Sequence, residues 1–391
     1  MREVVVIDAV RTPVGRFSGG LSSLSASDLG AKVMAALFQR TGLAPSEIDH
    51  VIMGCTLQFG ENAYLSRLAA IKAGIPHETP ALTVNRLCGS GLEAINEAAR
   101  MIQLGLADAC VAGGAESMSN GAYYSTQLRG GARLGHVSFT DGVVALLTDP
   151  MLDVHMGITA ENLAVKYGIS RQDQDFFASE SHRKAVRAME EGRFTTQVVP
   201  IEISSRKQTL VVDKDEGPRA DASMEAMSKL KPAFKPDGTV TAGNASSLND
   251  AASAVLVMEK EKAKALGLKP RCEIISQAVA AVDPAYMGIG PVFAVPKALK
   301  AAGLDLKDIG VIELNEAFAA QSLAVLRELR IDPDKVNTNG GAIALGHPIG
   351  ATGSIVFTKA FHELEQIGEE FGLISLCIGG GQGIATVIRS I

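Results

Sequence analysis

The sequence predicts an α/β fold made of two similar halves, and three observations carry that reading. Strand patterns rich in Val, Ile and Ala alternate with helical patterns along most of the chain. Of its 391 residues 40 are glycine and only 5% are aromatic, which suits short buried strands joined by tight turns. Three motifs of the first third recur in the same order in the last third. The length exceeds what one core usually supports, so more than one domain is expected.

Residues 3–9, EVVVIDA, read as a buried strand. Residues 25–40 read as a helix with Leu29, Val33 and Leu37 on one face, a capping box of Ser25 with Asp28, and Gly42 at its stop. A short strand at 51–53 and a helix at 62–73, closed by Gly74 and Pro76, come next. A strand at 82–84 runs into Cys88, a helix follows to Leu104, and 108–112 is again a strand. Alternation of this kind implies parallel strands with helices on both faces. In the last third, Gly303-Leu304, Asp308-Ile309 and Val311-Ile312 echo Gly42-Leu43, Glu47-Ile48 and Val51-Ile52. Residues 273–280 echo the first strand, and 376–381 (LCIGGG) echo 109–114 (ACVAGG).

Between the halves, residues 118–247 break the rhythm. They carry glycine turns at Gly130, Gly131 and Gly135, a polar helix from Ser170 to Gly192 with a Ser170–Asp173 capping box, and a charged stretch at 214–219. An insertion of this length is expected to cover a site. The expected domains are therefore 1–117 with 248–270 as one half, 118–247 as a covering loop domain, and 271–391 as the other half.

Composition excludes several classes of function. A net charge of −6 and the scarcity of aromatic rings argue against a nucleic-acid partner. No run of roughly 18 apolar residues suggests a membrane span. The start MREVVVIDAV enters a strand directly, without a secretory or transit pattern, so a cytoplasmic location is expected. Five dispersed cysteines imply free thiols, and no pair has the spacing of a zinc site.

Four places carry chemistry. Cys88, in NRLCGSGL, lies where a strand turns into a helix, and a helix N-terminus favours thiolate. Taken alone, such a cysteine is equally well read as a buried thiol. His347 stands between Gly346 and Pro348 on a tightly turning backbone, which suits a general base held in one orientation. The other histidines, His182 and His362 included, read as solvated or capping residues. Cys377 ends an apolar strand and opens onto a glycine run where Gly379 can offer its N–H to a substrate oxygen. Asn315, in ELNEAF, reads by itself as a helix cap.

Together these elements resemble the thiolase family. CGSG at 88–91, TAGNASSLND at 241–250, NEAF at 315–318, GGAIALGHPIGATG at 340–353 and CIGGGQG at 377–383 stand in the family's order, as does HMGITAEN at 155–162. The resemblance implies two duplicated βαβαβαββ-type halves in a five-layered α/β/α/β/α core with an inserted loop domain. It also implies a reversible Claisen condensation. Cys88 would form the acyl-enzyme with His347 as base, and Cys377 would move the α-proton. His347 and a water on Asn315 would serve the enolate oxygen, and the Cys88 and Gly379 N–H groups the tetrahedral intermediate. Coenzyme A is implied as substrate, with no metal or other cofactor. Leu147, His155, Met156, Ser246, Ala317 and Phe318 would line its pantetheine tunnel, and Arg219 would meet the nucleotide end. Singly, Leu147 and Met156 read equally as core packing. A homodimer or homotetramer is implied as well.

HMGITAEN resembles the branch that makes acetoacetyl-CoA from acetyl-CoA. Asn85-Arg86 resembles the broader 3-ketoacyl branch instead, and Ser247 stands where the short-chain motif usually has Gly. Two rivals remain: a decarboxylating condensing enzyme, against which Cys377 counts, and a noncatalytic acyl-CoA binder, which need not keep all four chemical groups.

Overall fold

In the computed structural model the described residues are 2–204 and 209–391. Residues 205–208 of the expected covering domain, and Met1, lie outside them. The first half contributes β1 (Val4–Arg11), α1 (Ala26–Thr41), β2 (His50–Gly54), α2 (Leu65–Lys72), β3 (Ala81–Val84), α3 (Ser90–Gln103), β4 (Ala109–Ser117) and β5 (Asn249–Glu259). Between β4 and β5 lie α4 (Met156–Lys166) and α5 (Arg171–Glu190). The second half contributes β6 (Cys272–Ala281), α6 (Gly290–Ala302), β7 (Val311–Leu314), α7 (Ala319–Leu329), α8 (Ile349–Ile367), β8 (Phe371–Ile378) and β9 (Gln382–Ser390).

The strands form one mixed sheet in the order β7-β8-β9-β6-β1-β5-β4-β2-β3. Each half repeats the same ladder. In the first, β1 pairs antiparallel with β5, β5 antiparallel with β4, and β4 parallel with β2. In the second, β6 pairs antiparallel with β9, β9 antiparallel with β8, and β8 parallel with β7. Register slips at the same point in both, between Val6 and Asp8 and between Ile274 and Ser276. The halves join where Val5 and Val6 face Glu273 and Cys272. Pairing is thus only partly parallel, contrary to the expectation from alternation. Strands β8 and β9 are linked by three residues without a crossover helix, and such a link permits only an antiparallel pair.

Alternating side chains divide the core into three apolar layers. Val5, Ile7 and Val10 face outward onto Leu29, Val33 and Leu37 of α1. Val4, Val6 and Ala9 face inward, onto Ile95 and Ile102 of α3 and Phe357 and Phe361 of α8. On the far side Ala385 and Val387 meet Ala294 of α6 and Val325 of α7. Each fully buried large aliphatic side chain adds roughly 1.5–3 kcal/mol. The result is α/β/α/β/α layering with α3 and α8 at the centre, and the starts of both helices face the same region.

The two capping boxes are present, Ser25 with Asp28 and Ser170 with Asp173. The helix expected at 62–73 is a 3-10 turn at Gly60–Tyr64 followed by α2. No side chain caps α2, so its first turn tightens. No helix among the described residues is long and apolar enough to cross a membrane.

Candidate active site

The turn from β3 into α3 is held almost wholly by local hydrogen bonds. Asn85 Oδ1 accepts from the Leu87 N–H at 3.0 Å. Ser90 Oγ accepts from the Arg86 N–H at 2.8 Å and donates to the Leu87 carbonyl at 2.7 Å. These contacts force Leu87 to φ 47°, a left-handed conformation unusual for leucine. Cys88 follows directly and is only partly buried. The backbone N–H groups of Gly379 and of Cys88 itself lie near enough to the sulfur to favour its charged form. A methyl group on Gly379 would lie 3.1 Å from Met156 Cε and 3.2 Å from Leu87 Cδ1, so the close approach depends on glycine there. Around Cys88 pack Leu57, Met118, Val143 and Ile349.

Burial pushes the Cys88 thiol up to about 11, against the partial lowering by the two N–H groups. Loss of hydration thus opposes the thiolate that the helix start was expected to favour. Glu116 adds to the rise through its charge.

His347 is buried, and burial pulls its ring down to about 4, so it is neutral at neutral pH. Its Nδ1 lies 2.7 Å from Thr352 Oγ1, and that hydroxyl donates to the Pro348 carbonyl at 2.9 Å. Thr352 must therefore accept, which places the ring proton on Nδ1 and leaves Nε2 as the basic nitrogen. The His347 N–H donates to Asn249 Oδ1 at 2.9 Å.

Cys377, at the end of β8, is fully buried. Burial raises its thiol, and the neighbouring Cys88, whenever ionised, adds to the rise. Asn315 extends β7, its N–H donating to the Ser375 carbonyl at 2.9 Å. Its side-chain amide is buried with no protein partner for either atom. The capping alternative fails, because the N-cap of α7 is Phe318. The adjacent Glu316, by contrast, accepts from Ser181 Oγ, Asn337 Nδ2 and the Ile343 N–H.

A cavity of about 500 Å³ is lined by Cys88, His347 and Gly379 together with Leu147, His155, Met156, Ser246, Ala317 and Phe318. Neither Asn315 nor Cys377 belongs to this lining, but Cys377 packs with Met156, Ala317 and Phe318 of it. His155 caps α4 by accepting the Gly157 N–H at 3.0 Å, and its ring stacks on Phe234 at 4.7 Å. Phe234 in turn meets Phe318 edge-on at 6.1 Å. Ser246 Oγ donates to the Ala317 carbonyl at 3.0 Å. Arg219 does not reach this cavity. It lines a second one of about 790 Å³ that shares Phe17, Ala245, Ser247 and Leu248 with the first, so the two form one channel.

Sequence reasoning missed Thr352, Phe234, Asn249 and Glu116. Glu116 is fully buried and accepts from Thr56 Oγ1, the Thr56, Leu57 and Gly350 N–H groups and the Cys55 thiol. It fastens the 55–57 loop to the start of α8, three residues beyond His347. An acidic residue inside the apolar AGGAES strand was its only signal. His182 and His362, read as solvated or capping, are both buried.

Residues 4–261 match the model of the thiolase N-terminal domain, and 268–390 that of the thiolase C-terminal domain. The chain is 52% identical over 390 residues to an acetyl-CoA acetyltransferase of Pseudomonas aeruginosa, covering 99% of each chain. The solved Bacillus anthracis acetyl-CoA acetyltransferase superposes with a TM-score of 0.98 at 46% identity, over 100% of this chain and 99% of that one. Human mitochondrial 3-ketoacyl-CoA thiolase, solved in complex with CoA, gives 0.96 at 44%, over 100% and 98%. Fold and relatives together define an acyltransferase of the duplicated α/β type. The chain belongs to the thiolase family and has thiolase activity.

Proposed function

We propose that the protein catalyses the reversible condensation of two acetyl-CoA molecules to acetoacetyl-CoA and CoA, with Cys88 carrying the acetyl group. The observation that carries this reading is the convergence of the Cys88 sulfur, the Gly379 N–H and His347 on one apolar cavity. Cys88 and His347 both rest uncharged, so His347 Nε2 takes the thiol proton as the sulfur attacks the thioester carbonyl. The N–H groups of Cys88 and Gly379 then face the developing oxyanion.

Cys377 gives its proton to the departing CoA thiolate, CoA leaves, and a second acetyl-CoA enters. The Cys377 thiolate then removes a proton from the methyl group of the second acetyl-CoA. The enolate oxygen is met by His347 and by a water on the Asn315 amide, whose buried polar atoms have no protein partner. The carbanion attacks the acetyl carbon on Cys88, the C–S bond breaks, and the His347 imidazolium returns its proton to the Cys88 sulfur. In reverse, Cys377 returns the proton, a role suited to a thiol that burial keeps neutral. Leu147, His155, Met156, Ser246, Ala317 and Phe318 hold the pantetheine arm, and Arg219 lies at the nucleotide end.

A second reading, a broader-chain 3-ketoacyl-CoA thiolase, is favoured by one feature. The cavity wall continues past Cys88 through Met118, Val143, Val144 and Tyr123, and the last two are exposed, so the wall opens outward. Thiolysis of acetoacetyl-CoA should proceed with higher kcat/KM than that of the eight- and sixteen-carbon 3-ketoacyl-CoAs. The reverse order selects the broader reading. In the same assays Cys377→Ala should still acquire acetyl on Cys88 but no longer exchange the methyl protons of acetyl-CoA. Wild-type exchange rates in that variant would remove Cys377 from the mechanism.

A further inference from the structure

The mouth of the channel carries three formally charged side chains, Arg16, Arg219 and Asp221, with His182 beside them. Arg219 is already compensated. Its Nε and Nη2 each lie 3.1 Å from an oxygen of Asp221. His182 accepts the Arg219 N–H on Nδ1 at 3.2 Å, and burial pulls its ring down to about 4, so it adds no charge at neutral pH. The guanidinium of Arg16 meets no carboxylate among the described residues.

Arg16 is also set on a fixed base. Gly15 and Arg16 pair antiparallel with Asp250 and Asn249. The Arg16 N–H donates to Glu216 Oε2 at 2.8 Å, and the Phe17 N–H to the Leu248 carbonyl at 3.1 Å. Glu216, the nearest acid in the chain's charged stretch, spends its oxygens on the N–H groups of Arg16 and Gly20. It thereby clasps the first half's 16–20 loop to the inserted segment. An exposed guanidinium with no ion-pair partner among the described residues, on an anchored backbone at the entrance to a thioester channel, is suited to a phosphate.

We propose that Arg16, rather than Arg219 alone, binds a phosphate of CoA at the channel mouth through its unpaired guanidinium. This inference rests on the reading of CoA as substrate, and a binding titration tests it independently of turnover. CoA, 3′-dephospho-CoA and pantetheine are titrated into the wild type, Arg16→Ala and Arg16→Lys by calorimetry at two salt concentrations.

Arg16→Ala should weaken CoA about five- to tenfold, the size expected of one charge-assisted contact near the surface. Arg16→Lys should recover most of the loss. Pantetheine, which has no phosphate, should bind all three proteins alike, and added salt should weaken CoA less in Arg16→Ala than in the wild type. A loss that vanishes with dephospho-CoA places the contact on the 3′-phosphate, and one that persists places it on the pyrophosphate. An unchanged CoA affinity in Arg16→Ala, or an equal loss for pantetheine, overturns the inference. A protein that binds CoA through Arg16 yet cleaves no 3-ketoacyl-CoA would keep this contact and discard the proposed reaction.

Discussion

With its thiol held up at about 11 and its neighbour His347 held down at about 4, both by burial, Cys88 rests uncharged at neutral pH. Alkylation requires thiolate, so iodoacetamide should modify Cys88 about tenfold faster for each unit from roughly pH 7 to pH 9. A rate already level near neutrality would show a resting thiolate–imidazolium pair instead. Because the His347 shift is downward, the base stays competent from neutral pH down to about 4 and is lost below that, as the ring protonates. The glycines around Cys88 and His347 made both residues legible in the sequence. Their charge state was not, because the groups that bury Cys88, such as Met118, Val143 and Ile349, lie far away along the chain.

At the level of elements, the segment between Leu345 and α8 has little freedom. Gly346 has φ 114°, and a Cβ there would fall 2.5 Å from the Asn249 amide. That amide receives the His347 N–H. Gly346→Ala should therefore lower kcat at least a hundredfold, since a small misplacement of a base costs about that much. Its strain should also cost roughly 1–3 kcal/mol in urea unfolding. A variant with wild-type kcat would show that the loop can shift without loss. Helix ends were readable because capping boxes and stop glycines act locally. Strand β4 extends to Ser117, beyond the expected 112, because glycine and alanine in AGGAES give no strand propensity, and pairing with β5 decides the matter. The direction of β5 and β9 depends on partners that no local pattern names.

Across the whole molecule, the three echoes in the sequence correspond to a ladder repeated strand by strand, including its register slip. What holds the inserted segment to that frame was hidden. Arg11, at the end of β1, is fully buried, pairs with both oxygens of Asp215 at 2.6 and 2.9 Å, and lies over the Phe194 ring. Arg11→Met should destabilise the protein by about 3–5 kcal/mol in urea unfolding, because it strands the Asp215 carboxylate in the interior. Arg11→Met with Asp215→Leu should recover most of that loss. Equal stability of the single and double variants would show that the pair's charge is unimportant. From the sequence, Arg11 was one more polar residue after a strand.

The two cavities share Phe17, Ala245, Ser247 and Leu248, and that continuity fixes a sequence of events in the proposed reaction. Both thioesters must travel the same corridor to Cys88, so they cannot occupy it together. The first CoA has to leave before its successor arrives, and the enzyme alternates between a bare and an acetylated form. Initial-rate plots at several fixed CoA concentrations would then run parallel. Excess CoA, by entering the bare form ahead of the 3-ketoacyl thioester, would inhibit its own consumption.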